Sequence, residues 1–253
     1  MTRARTPRLG QHLLTNPRVS ARLADAARVT SGTRVLEVGP GKGALTAELL
    51  ARGARVLAVE KDPAFAAILR EQFADALASG ALTLIDGDIR DHTPDALMGH
   101  APYVVAANIP YYITGELIRT FLTAAHQPTT IALLVQKEVA ERIARSKKES
   151  ILSLSVKVYG QPRYITTVSR GNFSPPPTVD SAILAITDIS RKNFASASEE
   201  RFFEIVKAGF AQKRKTLAGN LTRALGTSLG VPPNIRAEDV PLATWRMLAE
   251  RAH

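Results

Sequence analysis

Between residues 34 and 135, five short apolar runs alternate with longer segments whose apolar residues recur every three or four positions. The runs are "RVLEV" (34–38), "RVLAV" (55–59), "LTLID" (82–86), "YVVAA" (103–107) and "TTIALLV" (129–135). Their length and β-rich composition mark them as strands buried on both faces. Between them lie "GALTAELLARG", "DPAFAAILREQFADALASG" and "TGELIRTFLTAA", which carry the period of helices. Parallel strands need a long crossover, and a helix supplies it. A chain with this alternation folds as a parallel sheet with helices on both faces.

Past a further helical segment, "KEVAERIAR", come two more β-like runs, "LSLSVKVYG" (152–160) and "SAILAIT" (181–187). Only a loop and "FSPPPT" separate them, so they are expected to form an antiparallel pair at the sheet edge. The proline triplet imposes a stiff, extended turn there. "SRKNFASASEE" (190–200) is polar and reads as a linker, with Ser198 placed to cap a helix. The remainder has a helical pattern. The expected fold is therefore α/β: a seven-stranded, mostly parallel sheet with an antiparallel edge hairpin over residues 1–188. A small helical domain over 189–253 completes it.

A chain of 253 residues has room for both parts. It has no cysteine, which excludes disulfides and thiolate metal sites and fits a reducing cytoplasm. No apolar run approaches the roughly 18 residues that span a membrane, so no membrane partner is expected. The formal net charge of +10 points to a polyanionic partner. The first 24 residues carry five Arg and no acid, the composition of a transit segment, but "LGQHLL" within them reads as a working motif.

"VLEVGPGKGAL" sets Gly39, Gly41 and Gly43 between the first strand and the first helix, where glycine lets backbone turn sharply and approach a ligand closely. Its GxGxG spacing departs from the GxGxxG of dinucleotide binders. Glu37 would repel a pyrophosphate but suits a ligand bearing an ammonium and a sulfonium. Glu60 ends the second strand, where a carboxylate accepts hydrogen bonds from ribose hydroxyls. Asp88, after the third strand, is placed to accept from an adenine amino group. The set favours S-adenosylmethionine over a dinucleotide.

"NIPYYITGEL" (108–117) follows the fourth of these strands. An adenine amino group is a poor nucleophile, because its lone pair is delocalised into the ring. Acceptors on its two hydrogens draw the nitrogen toward tetrahedral geometry. Asn108 supplies a side-chain carbonyl, and the Ile109–Pro110 segment can aim a backbone carbonyl at the same point. Pro110 fixes its own φ and restricts Ile109 to extended conformations. Tyr111 offers a ring for the target base to stack on. A strand-end turn with a core tyrosine is the structural alternative.

These motifs, in this order, resemble the ribosomal RNA adenine N6-dimethyltransferase family, and within it the KsgA type. The resemblance runs from about residue 8 to 225. It rests on "LGQHLL" (9–14), "LEVGPGKGALT" (36–46), "VEKD" (59–62), "GDIR" (87–90) and "NIPYYIT" (108–114). "QKEVAERI" (136–143), "FSPPPTVDSAIL" (173–184) and "FAQKRKTLAGNL" (210–221) extend it. It implies a Rossmann-like class I methyltransferase domain, S-adenosylmethionine as cofactor and methyl transfer to N6 of two adjacent adenosines near the 3′ end of small-subunit rRNA. It also implies that His12 and Leu14 contact the cofactor beside Gly39, Gly41, Glu60, Asp88 and Asn108. Phe173 would pack on the target base opposite Tyr111. The implied partner is rRNA in an immature small ribosomal subunit, bound by a monomer. His12 and Tyr112 stand where the family often has Asn, and "KKESILSLSV" replaces a Tyr-Gly-containing segment.

In "FFEIVKAGFAQKRKTLAGNLTRAL" the residues Phe203, Val206, Phe210, Leu217 and Leu221 are expected along a helical stripe. Lys207, Lys213, Arg214, Lys215 and Arg223 lie largely off it and are candidate contacts to RNA phosphates. A solvated charged face is the alternative. Residues 3–8 and the loop "RSKKES" (145–150) are weaker candidates. Two rival functions remain open: an Erm-type enzyme acting on large-subunit rRNA, and a ribosome-assembly factor whose binding matters more than its catalysis.

Overall fold

The computed structural model describes residues 12–194 and 198–251. It opens with β1 (Leu13–Leu14), α1 (Pro17–Ala26), β2 (Arg34–Val38), α2 (Ala44–Ala51), β3 (Arg55–Glu60) and α3 (Pro63–Gln72). There follow α4 (Ala74–Ala78), β4 (Leu82–Asp86), α5 (Pro94–Met98), β5 (Val104–Asn108), α6 (Thr114–Thr123) and β6 (Thr130–Gln136). Asn16, Asp62 and Thr93 cap α1, α3 and α5 through their side-chain oxygens, each with a proline in the first turn. All five apolar runs are strands. They pair in parallel in the order β4-β3-β2-β5-β6.

The chain continues through α7 (Lys137–Ala144), α8 (Ile151–Tyr159), β7 (Gln161–Val168), β8 (Phe173–Ser174) and β9 (Ser181–Thr187). β9 pairs antiparallel with β6, and β7 lies outside it, which completes the expected seven strands. The outermost strand is not the expected one. Residues 151–159 are a helix, and residues 161–168 take the edge. The alternating "LSLSV" imitates a strand, but its serines are satisfied inside a helix. Ser150 and Ser153 form a reciprocal capping box, and the Ser155 hydroxyl donates to the Ile151 carbonyl at 2.6 Å. β7 shows the true period of two, its residues alternating between exposed and half-buried.

The final helices are α9 (Glu199–Gly209), α10 (Leu217–Leu225) and α11 (Leu242–Arg251). Ser198 caps α9 as expected, accepting from the Arg201 N–H at 3.1 Å. Two compact units divide the chain. One comprises residues up to Ala140 with Arg163–Ile189, and the other Glu141–Pro162 with the chain from Ser190 onward. In the second unit Phe194, within the segment read as a linker, packs against Tyr159, Phe202 and Phe203.

The basic C-terminal segment is two helices, not one. α9 stops at Gly209, where a Cβ would lie 2.4 Å from Trp245 and 2.6 Å from Leu217. Phe210 stacks on Trp245 with ring centroids 5.5 Å apart. The buried Asn220 donates its amide to the Gly209 and Gln212 carbonyls at 2.6 and 3.2 Å, satisfying groups the helix end leaves free. Lys213, Arg214 and Lys215 therefore sit on an exposed connection. Of the expected stripe, Val206, Leu217 and Leu221 are buried and Phe203 and Phe210 half-buried, divided between the two helices and their connection.

Candidate active site

β2 turns to β3 on one side and neighbours β5 on the other, so the strand order reverses between β2 and β5. Open α/β sheets bind ligands in the crevice at the carboxyl ends of strands at such a point. Val38 pairs with Ala107, so the glycine loop and Asn108 leave adjacent strands side by side. Glu60 pairs with Asp86 at the same edge, with Asp88 two residues beyond. The sheet thus brings four separated motifs together.

Gly41 has φ +59° and Gly43 φ +79°, a region costly for residues bearing Cβ. A Cβ on Gly41 would come within 2.8 Å of Leu13, and one on Gly43 within 2.4 Å of Phe73. The Gly41 N–H donates to Glu60 Oε2 at 2.9 Å, and the Asp62 N–H donates to Oε1 at 2.8 Å. Burial raises the Glu60 pKa, and those two backbone donors oppose it.

Glu37 is 1% exposed. Its Oε2 accepts from the Thr46 hydroxyl at 2.8 Å, while its Oε1 has no partner among the described residues. Burial pushes its pKa up to about 8, with Thr46 opposing and Glu60 adding to the rise. Asp88 behaves in the opposite way. The Arg90 side chain, and then Lys61, hold it well below the usual carboxylate range against desolvation.

One cavity is lined by His12, Leu14, Glu37, Gly41, Asn108 and Tyr111. A second is lined by Glu60, Lys61, Asp88, Arg90, Tyr112 and Ile113. Gly39 and Pro110 belong to both. Successive tyrosines therefore serve different cavities, Tyr111 the first and Tyr112, 67% exposed, the second.

Three segments far apart in sequence close the first cavity. Leu14 pairs with Phe173 in the short β1–β8 ladder. Asn108 donates Nδ2–H to the His12 carbonyl at 2.9 Å, and His12 Nδ1 meets the Pro175 carbonyl at 2.9 Å. A carbonyl only accepts, so Nδ1 carries the proton. The Tyr111 hydroxyl and Ser181 Oγ are 2.7 Å apart. Burial raises the Tyr111 pKa, with the Ser181 bond opposing. Ile109 is buried in the wall. Phe173 is 4% exposed and packs in the core cluster that contains Leu14, Val168 and Ile183, so its ring presents little free face.

Thr46, Ser181, Lys61 and Arg90 escaped the sequence reading, although each lies inside or beside a quoted motif. A hydroxyl or a basic residue there has no periodicity to mark it. Lys207, Lys213, Arg214, Lys215 and Arg223 are all exposed in the second unit. Residues 3–8 lie outside the described residues.

A family model described as "Ribosomal RNA adenine dimethylase" matches residues 2–245. The chain belongs to this family. It is 39% identical over 252 residues to a "Ribosomal RNA small subunit methyltransferase A" of Dehalococcoides mccartyi (strain CBDB1), covering 95% of this chain and 86% of that protein. It superposes on the crystal structure of the 23S rRNA methyltransferase ErmE with a TM-score of 0.76 and 26% identity, covering 95% of this chain and 99% of that one. A dimethyladenosine transferase from Plasmodium falciparum gives a TM-score of 0.74 at 26% identity, covering 94% and 96%. This dimethylase-family chain is an S-adenosylmethionine-dependent methyltransferase of adenine in ribosomal RNA, built on a Rossmann-like class I fold. The residues at the site fit the cofactor. Glu37 Oε1 is a buried acceptor suited to an ammonium group, and a Cβ built on Gly39 would meet no atom within 4 Å, so the loop stands open to a ligand there. No helix among the described residues is long and apolar enough to cross a membrane.

Proposed function

We propose that this dimethylase-family enzyme methylates the exocyclic N6 of two adjacent adenosines near the 3′ end of small-subunit rRNA, twice each, during ribosome biogenesis. It acts as a cytoplasmic monomer on an immature small subunit. The observation that carries the reading is the orientation of Asn108. Its Nδ2 is committed to the His12 carbonyl, which leaves Oδ1 as the free acceptor beside the glycine loop. A carbonyl acceptor is what an adenine N6 amino group needs to become nucleophilic.

S-adenosylmethionine, when bound, supplies a methyl group activated on a sulfonium. His12, Leu14, Gly39 and Gly41 line its place, Glu60 accepts from its ribose hydroxyls and Asp88 from its adenine amino group. Asn108 Oδ1 accepts one N–H of the target base. The Pro110 carbonyl already accepts from the Ile113 N–H at 3.2 Å, so the second acceptor is the carbonyl of Ile109. Pro110 holds that carbonyl's peptide in place, and Tyr111 stacks on the base. Phe173 supports the pocket from behind, through its strand partner Leu14, which lines it. Catalysis here is orientation and electrostatics rather than covalent chemistry by the protein. Lys207, Lys213, Arg214, Lys215 and Arg223 hold phosphates without reading sequence.

The preference for the small subunit is supported by the 39% identity, over 95% of this chain, to a small-subunit enzyme. Transfer of labelled methyl groups to unmethylated small ribosomal particles and to large-subunit RNA, followed by nucleoside analysis, tests it. Dimethyladenosine in the small-subunit product is expected. Label confined to large-subunit RNA would overturn the proposal, and binding without transfer would favour the assembly-factor role.

A further inference from the structure

Asp88 is saturated with donors. Its Oδ1 accepts from the Arg90 backbone N–H and from Arg90 Nε–H, both at 3.0 Å. Its Oδ2 accepts from Arg90 Nη2–H at 2.6 Å and from Lys61 Nζ–H at 2.9 Å. A carboxylate offers about four lone-pair sites, and four donors occupy them. Asp88 is only 14% exposed, while Lys61 and Arg90 are 49% and 39% exposed, and all three line the cavity over Glu60. A further donor can reach this carboxylate only by displacing one already there.

The two basic residues are not equally displaceable. Lys61 holds Asp88 by one bond from a flexible, readily hydrated ammonium. Arg90 holds both oxygens with a planar fork and adds its backbone N–H from the turn that Asp88 itself caps. Removing Lys61 breaks one contact, whereas removing Arg90 breaks two and frees the carboxylate plane to rotate.

We propose that Lys61 is the competitor an adenine amino group must displace from Asp88, and that Arg90 is the positioning residue that keeps Asp88 oriented to receive it. The inference rests on the reading of Asp88 as the acceptor for the cofactor's adenine. Cofactor selectivity for an amino-bearing base is thus set jointly by two residues that need not touch the cofactor. Loss of Lys61 removes the competition. Loss of Arg90 gives the ammonium access to both oxygens and increases it.

Calorimetric titration with two ligands of identical charge tests this. One is S-adenosylhomocysteine, and the other is S-inosylhomocysteine, in which oxygen replaces the exocyclic amino group. Long-range effects of a lost cation act on both ligands alike and cancel in the ratio of their dissociation constants. Lys61→Met is expected to raise the preference for S-adenosylhomocysteine over the inosyl ligand about two- to fivefold, the range for a partly exposed ion pair. Arg90→Leu is expected to reduce the preference for the adenosyl ligand. Both variants should melt within a few degrees of the parent, since both side chains are at the surface. Lys61→Met shifting both ligands equally, or neither, overturns the proposal, as does Arg90→Leu with an intact preference. If the unmodified protein binds the two ligands equally well, the reading of Asp88 is itself wrong, and the two failures are distinguished.

Discussion

Asn108 and His12 are joined by a hydrogen bond of 2.9 Å across 96 positions of chain, from the side-chain amide of one to the main-chain carbonyl of the other. The bond decides which end of the Asn108 amide faces the cavity. Nitrogen is held toward the N-terminal segment, so oxygen is presented to a substrate. Asn108→Ala removes that acceptor and is expected to lower turnover at least about a hundredfold, the scale for losing one preorganised catalytic hydrogen bond. Cofactor affinity should stay within a few-fold. Single-turnover methylation beside calorimetric titration separates the two, and near-normal turnover would refute the amino-group role.

Glu37 makes the stability of the protein pH-sensitive. Its folded pKa, about 8, lies above its ordinary value of 4.5, so the unfolded chain ionises first. The neutral carboxyl therefore contributes fully below about pH 4.5, and that contribution is lost as pH rises through about 8. A tenfold change in an ionisation constant corresponds to about 1.4 kcal/mol, which makes the effect several kcal/mol. Glu37→Gln should flatten the fall in Tm between those limits. Equal pH profiles for variant and parent would show that Glu37 is ionised in the folded protein at neutral pH.

Cofactor affinity is expected to follow the same residue. A ligand ammonium favours the ionised carboxylate, so binding near neutral pH should release protons. Titrations in buffers of different ionisation enthalpy count them. Glu37→Gln should abolish the release and weaken binding, whereas Glu60→Ala should weaken binding and retain it.

Tyr111 and Phe173 should separate in their effects. Tyr111 is half-buried beside the cavity, so Tyr111→Ala is expected to lower the dimethyl-to-monomethyl ratio as well as the rate. After the first transfer only one N–H remains on the nitrogen, and stacking must hold the base. Tyr111→Phe keeps the ring and loses only the bond to Ser181, and should retain most of the ratio. Phe173 lies in the core, and its truncation to Ala should cost about 3–5 kcal/mol of stability. Mass spectrometry of digested rRNA over a time course, with melting curves, resolves these outcomes. Equal slowing of both methyl transfers by Tyr111→Ala would refute the stacking role.

Charge reversal at Lys213, Arg214 and Lys215 is expected to weaken RNA binding and flatten its salt dependence. Each lost phosphate contact should reduce the log–log slope by roughly 0.7–0.9. The three side chains are exposed on a connection held by Asn220, so stability should barely change. Asn220→Ala should do the converse, lowering Tm while leaving every charge in place. Identical salt slopes in parent and charge-reversed protein would return these residues to the role of a solvated face.

The sequence by itself determined the parallel core of the sheet, the place of the glycine loop and the shared edge of Glu60, Asp88 and Asn108. Those features follow from local periodicity and from where a strand ends, and both are written in adjacent residues. Only tertiary structure decided that Ile151–Tyr159 is a helix, because the buried Ser153 and Ser155 are satisfied within it and Ser150 caps its start. α9 ends at Gly209, where Trp245, distant in the chain, and Leu217 leave no room for a Cβ, and the basic residues fall on the connection that follows. The orientation of Asn108 and the saturation of Asp88 likewise depend on partners brought near by folding. A hydrogen bond between distant segments leaves no period in the sequence, since its partners meet only after the sheet has positioned them.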